Sequence, residues 1–196
     1  MTETPHDTII LTVAPPLISE FFPLLQQGVR VPCHTDCPLG DLLSGQWGLD
    51  PGYVKERITT IFLNHRAIDS VDTTQVHGGS TLALSGAMPG LVGATMRRGG
   101  HLAAMRGAMT HHNETVGNGT APDWIRLKLF NLLLPELGPG FLERGILIDG
   151  DELQRFLQEL PGAFWHPAAK ADRETILATA AGSGEHDLLL TVVLKG

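Results

Sequence analysis

A chain of 196 residues with 42% hydrophobic and 18% charged side chains can bury a sizeable core, as one large domain or two small ones, and is not a wholesale disordered polymer. Its net charge of −7 argues against a general nucleic-acid or membrane-surface binder, since either needs a basic face. Two cysteines, Cys33 and Cys37, cannot build a disulfide framework, and no apolar run approaches the roughly 18 residues of a membrane span.

The opening MTETPHDT has no basic stretch followed by an apolar one, so no secretory signal is expected and cytoplasm is the expected compartment. Residues 8–14, TIILTVA, read as a strand, β-branched and apolar and closed by Pro15-Pro16. Leu17, Ile18, Phe21, Phe22, Leu24 and Leu25 suit a short helix or turn, with Gly28 as its stop, and residues 28–31 restart as a strand. Residues 38–47 predict a helix with Leu42 and Leu43 on its apolar face. RITTIFL at 57–63 is the clearest strand of the first half, followed by the polar turn Asn64-His65-Arg66 and a hairpin-like return at Ala67-Ile68. A second turn at His77-Gly78-Gly79-Ser80 leads into a strand at 81–84.

From Ser85 to Gly107 the composition shifts to glycine and holds three of the five methionines, with no clear period, so a loop with at most one helical turn is expected. Arg97, Arg98 and Arg106 sit in a stretch with no acidic residue between Asp72 and Glu114, a local positive patch within a negative chain. Residues 111–123, HHNETVGNGTAPD, are the expected linker. Beyond it, 124–130 predicts a strand, 151–160 a helix with Leu153, Phe156, Leu157 and Leu160 at helical spacing, 172–181 a shorter helix, and 187–194 a closing strand. Residues 8–31 and 125–148 align without a gap at an offset of 117, Gly28 over Gly145, which is either a duplication or two copies of one local pattern.

PLGDLL, TIFLNHRAID and VHGGSTLAL, within residues 38–84, resemble the pattern of the small β-grasp sulfur carriers of thiamin and molybdopterin synthesis. The resemblance spans roughly residues 8–84. It implies a β-grasp (ubiquitin-like) N-terminal domain, taken over 6–110 with the glycine-, methionine- and arginine-rich loop 85–107; with the linker and the elements read over 124–196 as a small α/β domain, the expected fold class is α+β. Carriers of that family work through a flexible C-terminal Gly-Gly, because only a residue without Cβ passes the narrow channel of an activating enzyme. Here the sequence closes on Leu194-Lys195-Gly196, and the nearest equivalent is internal, at Arg97-Arg98-Gly99-Gly100, which would need cleavage before His101.

Cys33-His34-Thr35-Asp36-Cys37 places three potential zinc ligands, Cys33, His34 and Cys37, in five residues, although a structural zinc site normally needs a second ligand pair. The alternative is a turn entering the following helix with reduced cysteines. The 86–107 stretch lacks the Lys-Ser/Thr of a P-loop and the GxGxxG of a dinucleotide site, and the chain holds no Gly-x-Ser-x-Gly elbow or His-Glu-x-x-His motif. The expectation is therefore a non-catalytic protein without a cofactor, zinc being the alternative, that binds a partner protein or small ligand but neither nucleic acid nor membrane. Residues Arg97, Arg98, Gly99, Gly100, His101 and Arg106 are its expected contact surface. The alternative from another class is a conjugation-type carrier processed at Gly100. Homo-oligomerisation is left open by the sequence.

Overall fold

The computed structural model describes residues 7–86, 88, 90–100, 102, 105, 123–165 and 170–195. The protein is α+β, with mixed sheets and several helices. It divides into two compact units, Leu24–Gly138 and the discontinuous pair Met1–Pro23 with Pro139–Gly196. The linker expected at 111–123 falls within the Leu24–Gly138 span, and its residues 111–122 lie outside those described. Non-local pairing joins β1 (Asp7–Val13) to the last strand of the chain.

The Leu24–Gly138 unit is built on β2 (Val29–Pro32), β4 (Thr60–Leu63), β5 (Arg66–Ala67), β7 (Thr81–Ser85) and β8 (Trp124–Phe130). They lie in the order β2-β8-β7-β4-β5. β8 is antiparallel to β2 and parallel to β7, and β4 is antiparallel to both β7 and β5. The central strand pair sets Leu82 beside Leu127 and Leu84 beside Leu129, all fully buried. At the head of β2, Gly28 adopts φ +111°, a conformation that favours glycine, and the Lys128 and Arg126 side chains of β8 pass close over it. Arg126 Nη1 donates to the Gly28 carbonyl at 2.8 Å and locks that close approach.

Asn64 and His65, at φ +48° and +67°, make the two-residue hairpin loop between β4 and β5, a conformation that asparagine tolerates well. A two-stranded ribbon, β3 (Cys37–Pro38) with β6 (Gln75–Val76), accompanies this sheet. The predicted helix over 38–47 forms as a π-type segment, Asp41–Gln46, where the Trp47 N–H donates five residues back to Leu42 O at 3.0 Å. Its leucines, Leu42 and Leu43, are fully buried. A helix not expected from the sequence, α2 (Pro51–Glu56), starts at Asp50, whose carboxylate accepts from the Tyr53 N–H at 2.9 Å with Pro51 at the first helical position.

In the other unit, β1 (Asp7–Val13) runs parallel to β10 (Asp187–Leu194), and β10 is antiparallel to β9 (Ile146–Asp149). Between β1 and Pro23 the chain forms a 3-10 segment, Pro15–Phe21, which passes directly into α1 (Phe22–Gln27), as the apolar spacing predicts. Phe21 is wholly buried and packs tilted against Phe156 and edge-on against Phe164, with ring centroids 5.4 and 5.8 Å away. Phe156 belongs to α5 (Gly150–Glu159), whose first turn is capped by Asp149 accepting from the N–H groups of Asp151 and Glu152. Phe164 lies in a 3-10 turn, Gly162–Trp165, and α6 (Lys170–Ser183) follows it.

The offset of 117 receives a structural counterpart. It carries Asp7–Val13 onto Trp124–Phe130 and Val29–Pro32 onto Ile146–Asp149, and the intervening α4 (Leu133–Arg144) ends at the residue matching Gln27. Gly145 adopts φ +99°, like Gly28. The facing of the first strand does not match, however. β1 buries Ile9, Leu11 and Val13, whereas β8 buries Ile125, Leu127 and Leu129, one residue out of step.

Candidate partner-binding surface

β7 and β8 are parallel, so the chain leaves both strands on the same side of the Leu24–Gly138 sheet. After β8, Asn131 turns at φ +55° and its Nδ2 donates to Ser85 Oγ, 3.0 Å away at the end of β7. After β7, Gly86 passes through a narrow gap. A Cβ on it would lie 3.3 Å from Arg57 O, 3.4 Å from Leu133 Cδ2 and 3.5 Å from Leu132 Cβ, and its carbonyl accepts from Thr59 Oγ1 at 3.0 Å. The outgoing segment is thus anchored beside Leu132.

That segment contains a helix, α3 (Gly90–Met96), where composition predicts mostly loop. Gly93 allows it, since its missing Cβ leaves the space that the Met88 carbonyl fills. Beyond α3 the chain is tied back to its own unit. The Arg98 N–H donates to Thr59 O at 2.8 Å, Arg98 Nη2 donates to Val54 O at 2.9 Å, and the Gly99 N–H reaches Asp69 Oδ1 at 3.4 Å. Burial lowers the pKa of the Arg98 guanidinium, partly offset by Asp72 and Asp69. Gly99, at φ +63°, and Gly100, whose N–H donates to Arg97 O, form a turn. An enzyme acting at Gly100 would have to open these bonds.

A polar brace supports the same region. Glu136, in the first turns of α4, pairs with Arg57, accepting from Nη2 and from Nε at 3.4 Å, and accepts from Tyr53 Oη at 2.6 Å. The Arg57 guanidinium, then the Tyr53 hydroxyl, hold the Glu136 carboxyl below the usual carboxylate range. Burial, then the carboxylate itself, pushes the Tyr53 phenol well up. Tyr53 and Arg57 on and after α2 are thereby fixed to the start of α4.

Four large apolar side chains of this unit stand exposed among the described residues. Leu91 and Val92 on α3 are 69% and 62% exposed, Met105 is 67% exposed and Leu132 51%. Arg97 stands exposed at the end of α3. Of the contact residues expected from sequence, Arg97, Arg98, Gly99 and Gly100 lie on this segment, and only Arg97 offers its side chain freely to solvent; His101 and Arg106 lie outside the described residues. Sequence reasoning missed Leu132, because nothing in the run Asn131-Leu132-Leu133-Leu134 marks which leucine faces out.

The candidate zinc ligands are arranged as a turn. Gln46 reads the loop, with Oε1 accepting from the His34 N–H and Nε2 donating to His34 O, both at 2.8 Å, and Nε2 also lies 3.5 Å from Cys37 Sγ. Cys33 is held by its N–H to Asp123 O at 3.1 Å, and burial, with Cys37 nearby, pushes its thiol up to about 11. His77 bonds Asp36 at 2.6 Å. Neither cysteine is in a disulfide, and among the described residues no group of three or more His, Cys, Asp or Glu side chains is placed to hold a metal ion.

No protein-family model, no curated protein and no solved structure matches the chain. Among the described residues no helix is long and apolar enough to cross a membrane.

Proposed function

We propose that the chain is a non-catalytic binding protein whose Leu24–Gly138 unit is ubiquitin-like and holds a partner protein against the α3 surface. The observation that carries the reading is the adjacent pair Leu91 and Val92, both more than 60% exposed, on a short helix tied down just beyond its carboxyl end by the Arg98 bonds to Thr59 O and Val54 O. Adjacent exposed apolar side chains on a helix are what an interface core requires, and a flanking cation such as Arg97 suits its rim.

The ubiquitin-like comparison is supported by strand order. In such a sheet the first strand lies inside, antiparallel to the second and parallel to the last. β8 occupies that position here, antiparallel to β2 and parallel to β7, with β4 and β5 completing the order. On this reading the first-strand role falls to residues 124–130, the counterpart of 7–13 at the offset of 117, while 7–13 itself pairs with β10.

L91D/V92D tests the proposal. Both side chains are solvent-facing, so the variant keeps its circular dichroism and melting temperature. In affinity capture from the native cell with quantitative mass spectrometry, proteins held by the wild type fall at least about ten-fold, the loss expected when one or two interface anchors are removed. Unchanged recovery of every captured protein removes α3 as the binding surface.

A further inference from the structure

A different part of the molecule carries an independent inference. Among the described residues β1 has a strand on one side only, β10, with which it pairs over its whole length from Asp7 to Val13. Proteins usually blunt such an edge with lysine, proline or a bulge, and residues 8–13 have none of these. The outward face is also apolar at its centre, where Ile10 is 63% exposed.

We infer that β1 pairs with β1 of a second copy of this chain, antiparallel about a two-fold axis at Ile10, joining two sheets edge to edge. The sequence around that residue is a near mirror of itself: Thr8-Ile9-Ile10-Leu11-Thr12 reads threonine, aliphatic, isoleucine, aliphatic, threonine in either direction. Antiparallel pairing about Ile10 therefore sets like against like. On the solvent face Ile10 opposes Ile10 of the other copy and Thr8 opposes Thr12. On the core face Ile9 opposes Leu11, so the buried layer continues across the axis. The one charge of the strand, Asp7, falls opposite Val13 and is kept away from its symmetry mate. A two-fold contact of this kind is closed, so it stops at a dimer rather than growing into a fibre. The near-mirror symmetry is what selects a second copy over an unrelated strand, which would gain nothing from it.

The test uses the full chain. Sedimentation equilibrium of the wild type returns twice the monomer mass. I10K, which places two ammonium groups face to face at the axis, raises the dissociation constant on the order of ten-fold or more while leaving the melting temperature of the monomer unchanged. In a background with Cys33→Ser and Cys37→Ser, I10C forms an intermolecular disulfide on mild oxidation. Directly opposed residues of an antiparallel pair have Cα atoms about 4.5–5.5 Å apart, within the span a disulfide bridges. S19C, exposed but off the strand, serves as the control for random collision. A monomeric wild type, a dimer that survives I10K, or an I10C chain that cross-links no faster than S19C each overturns the proposal.

Discussion

Replacing Gly150 by alanine is expected to lower the melting temperature by about 10 °C, the shift that a loss of about 3 kcal/mol produces in a chain of this size. A Cβ at this position would stand 2.6 Å from Ala180 O and 2.7 Å from Gly184 O, with the Gly184 nitrogen at 3.1 Å. All three are main-chain atoms of α6 and the residue just beyond it, so no side chain can rotate out of the way. The same approach is held by two hydrogen bonds, from the Gly150 N–H to His186 O and from the Asp151 N–H to Gly184 O, which a shift of α5 would stretch. Gly140 gives the contrast. It lies inside α4 with nothing within 4 Å of its added Cβ, so Gly140→Ala should stabilise by about 1 kcal/mol through helix propensity alone. Thermal melts of the two variants check both signs. Equal effects would mean that α5 does not approach α6 this closely.

Phe21→Ala is expected to cost about 3–5 kcal/mol, the usual range for emptying a fully buried aromatic site. The ring is wholly buried and touches Phe156 and Phe164, and Phe164 in turn lies edge-on to Trp165 at 5.1 Å. The location of the damage is more telling than its size. Phe21 stands near the amino end of the chain, yet its partners lie between residues 156 and 165. Hydrogen exchange should therefore show protection falling in α5 and in the Gly162–Trp165 turn, some 130 residues away, with β4 and β7 in the Leu24–Gly138 unit little affected. Loss of protection confined to residues near 21 would contradict the discontinuous unit.

Much of the local structure is legible in the sequence, because hydrophobic period and turn chemistry act within a few residues. TIILTV and the closing LLLTVVL became strands, RITTIFL did so only over its last four residues, Thr60–Leu63, Asp149 capped the helix it precedes, and Gly28 ended its helix for the reason glycine does. α4 was hidden by Pro135, Gly138, Pro139 and Gly140, although a proline in the first turn costs no helical hydrogen bond and the cost of Pro139 is met by packing of Leu133, Phe141 and Leu142. α2 had its signal in Asp50-Pro51, a cap followed by the best first helical residue. Strand neighbours were not legible, since no local pattern says that residues 124–130 insert between β2 and β7. The offset of 117 was the one hint, and its mismatch in facing shows why it could not be read as simple equivalence. At the candidate surface, Arg98 illustrates the same limit. Its charge suggested a contact residue, but its side chain reaches Val54 O and is spent on holding the segment in place.

The claim on which the functional reading rests is that β8 completes the sheet presenting α3. Two fragments compared by thermal melting and by dispersion of their amide NMR spectra test it most directly. A fragment of residues 24–144 holds all five strands of the sheet, and it should melt cooperatively with dispersed amides. A fragment of residues 6–110 lacks β8 and should show neither property. A folded 6–110 fragment beside an unfolded 24–144 fragment would show that the sheet does not need β8 and contradict the account.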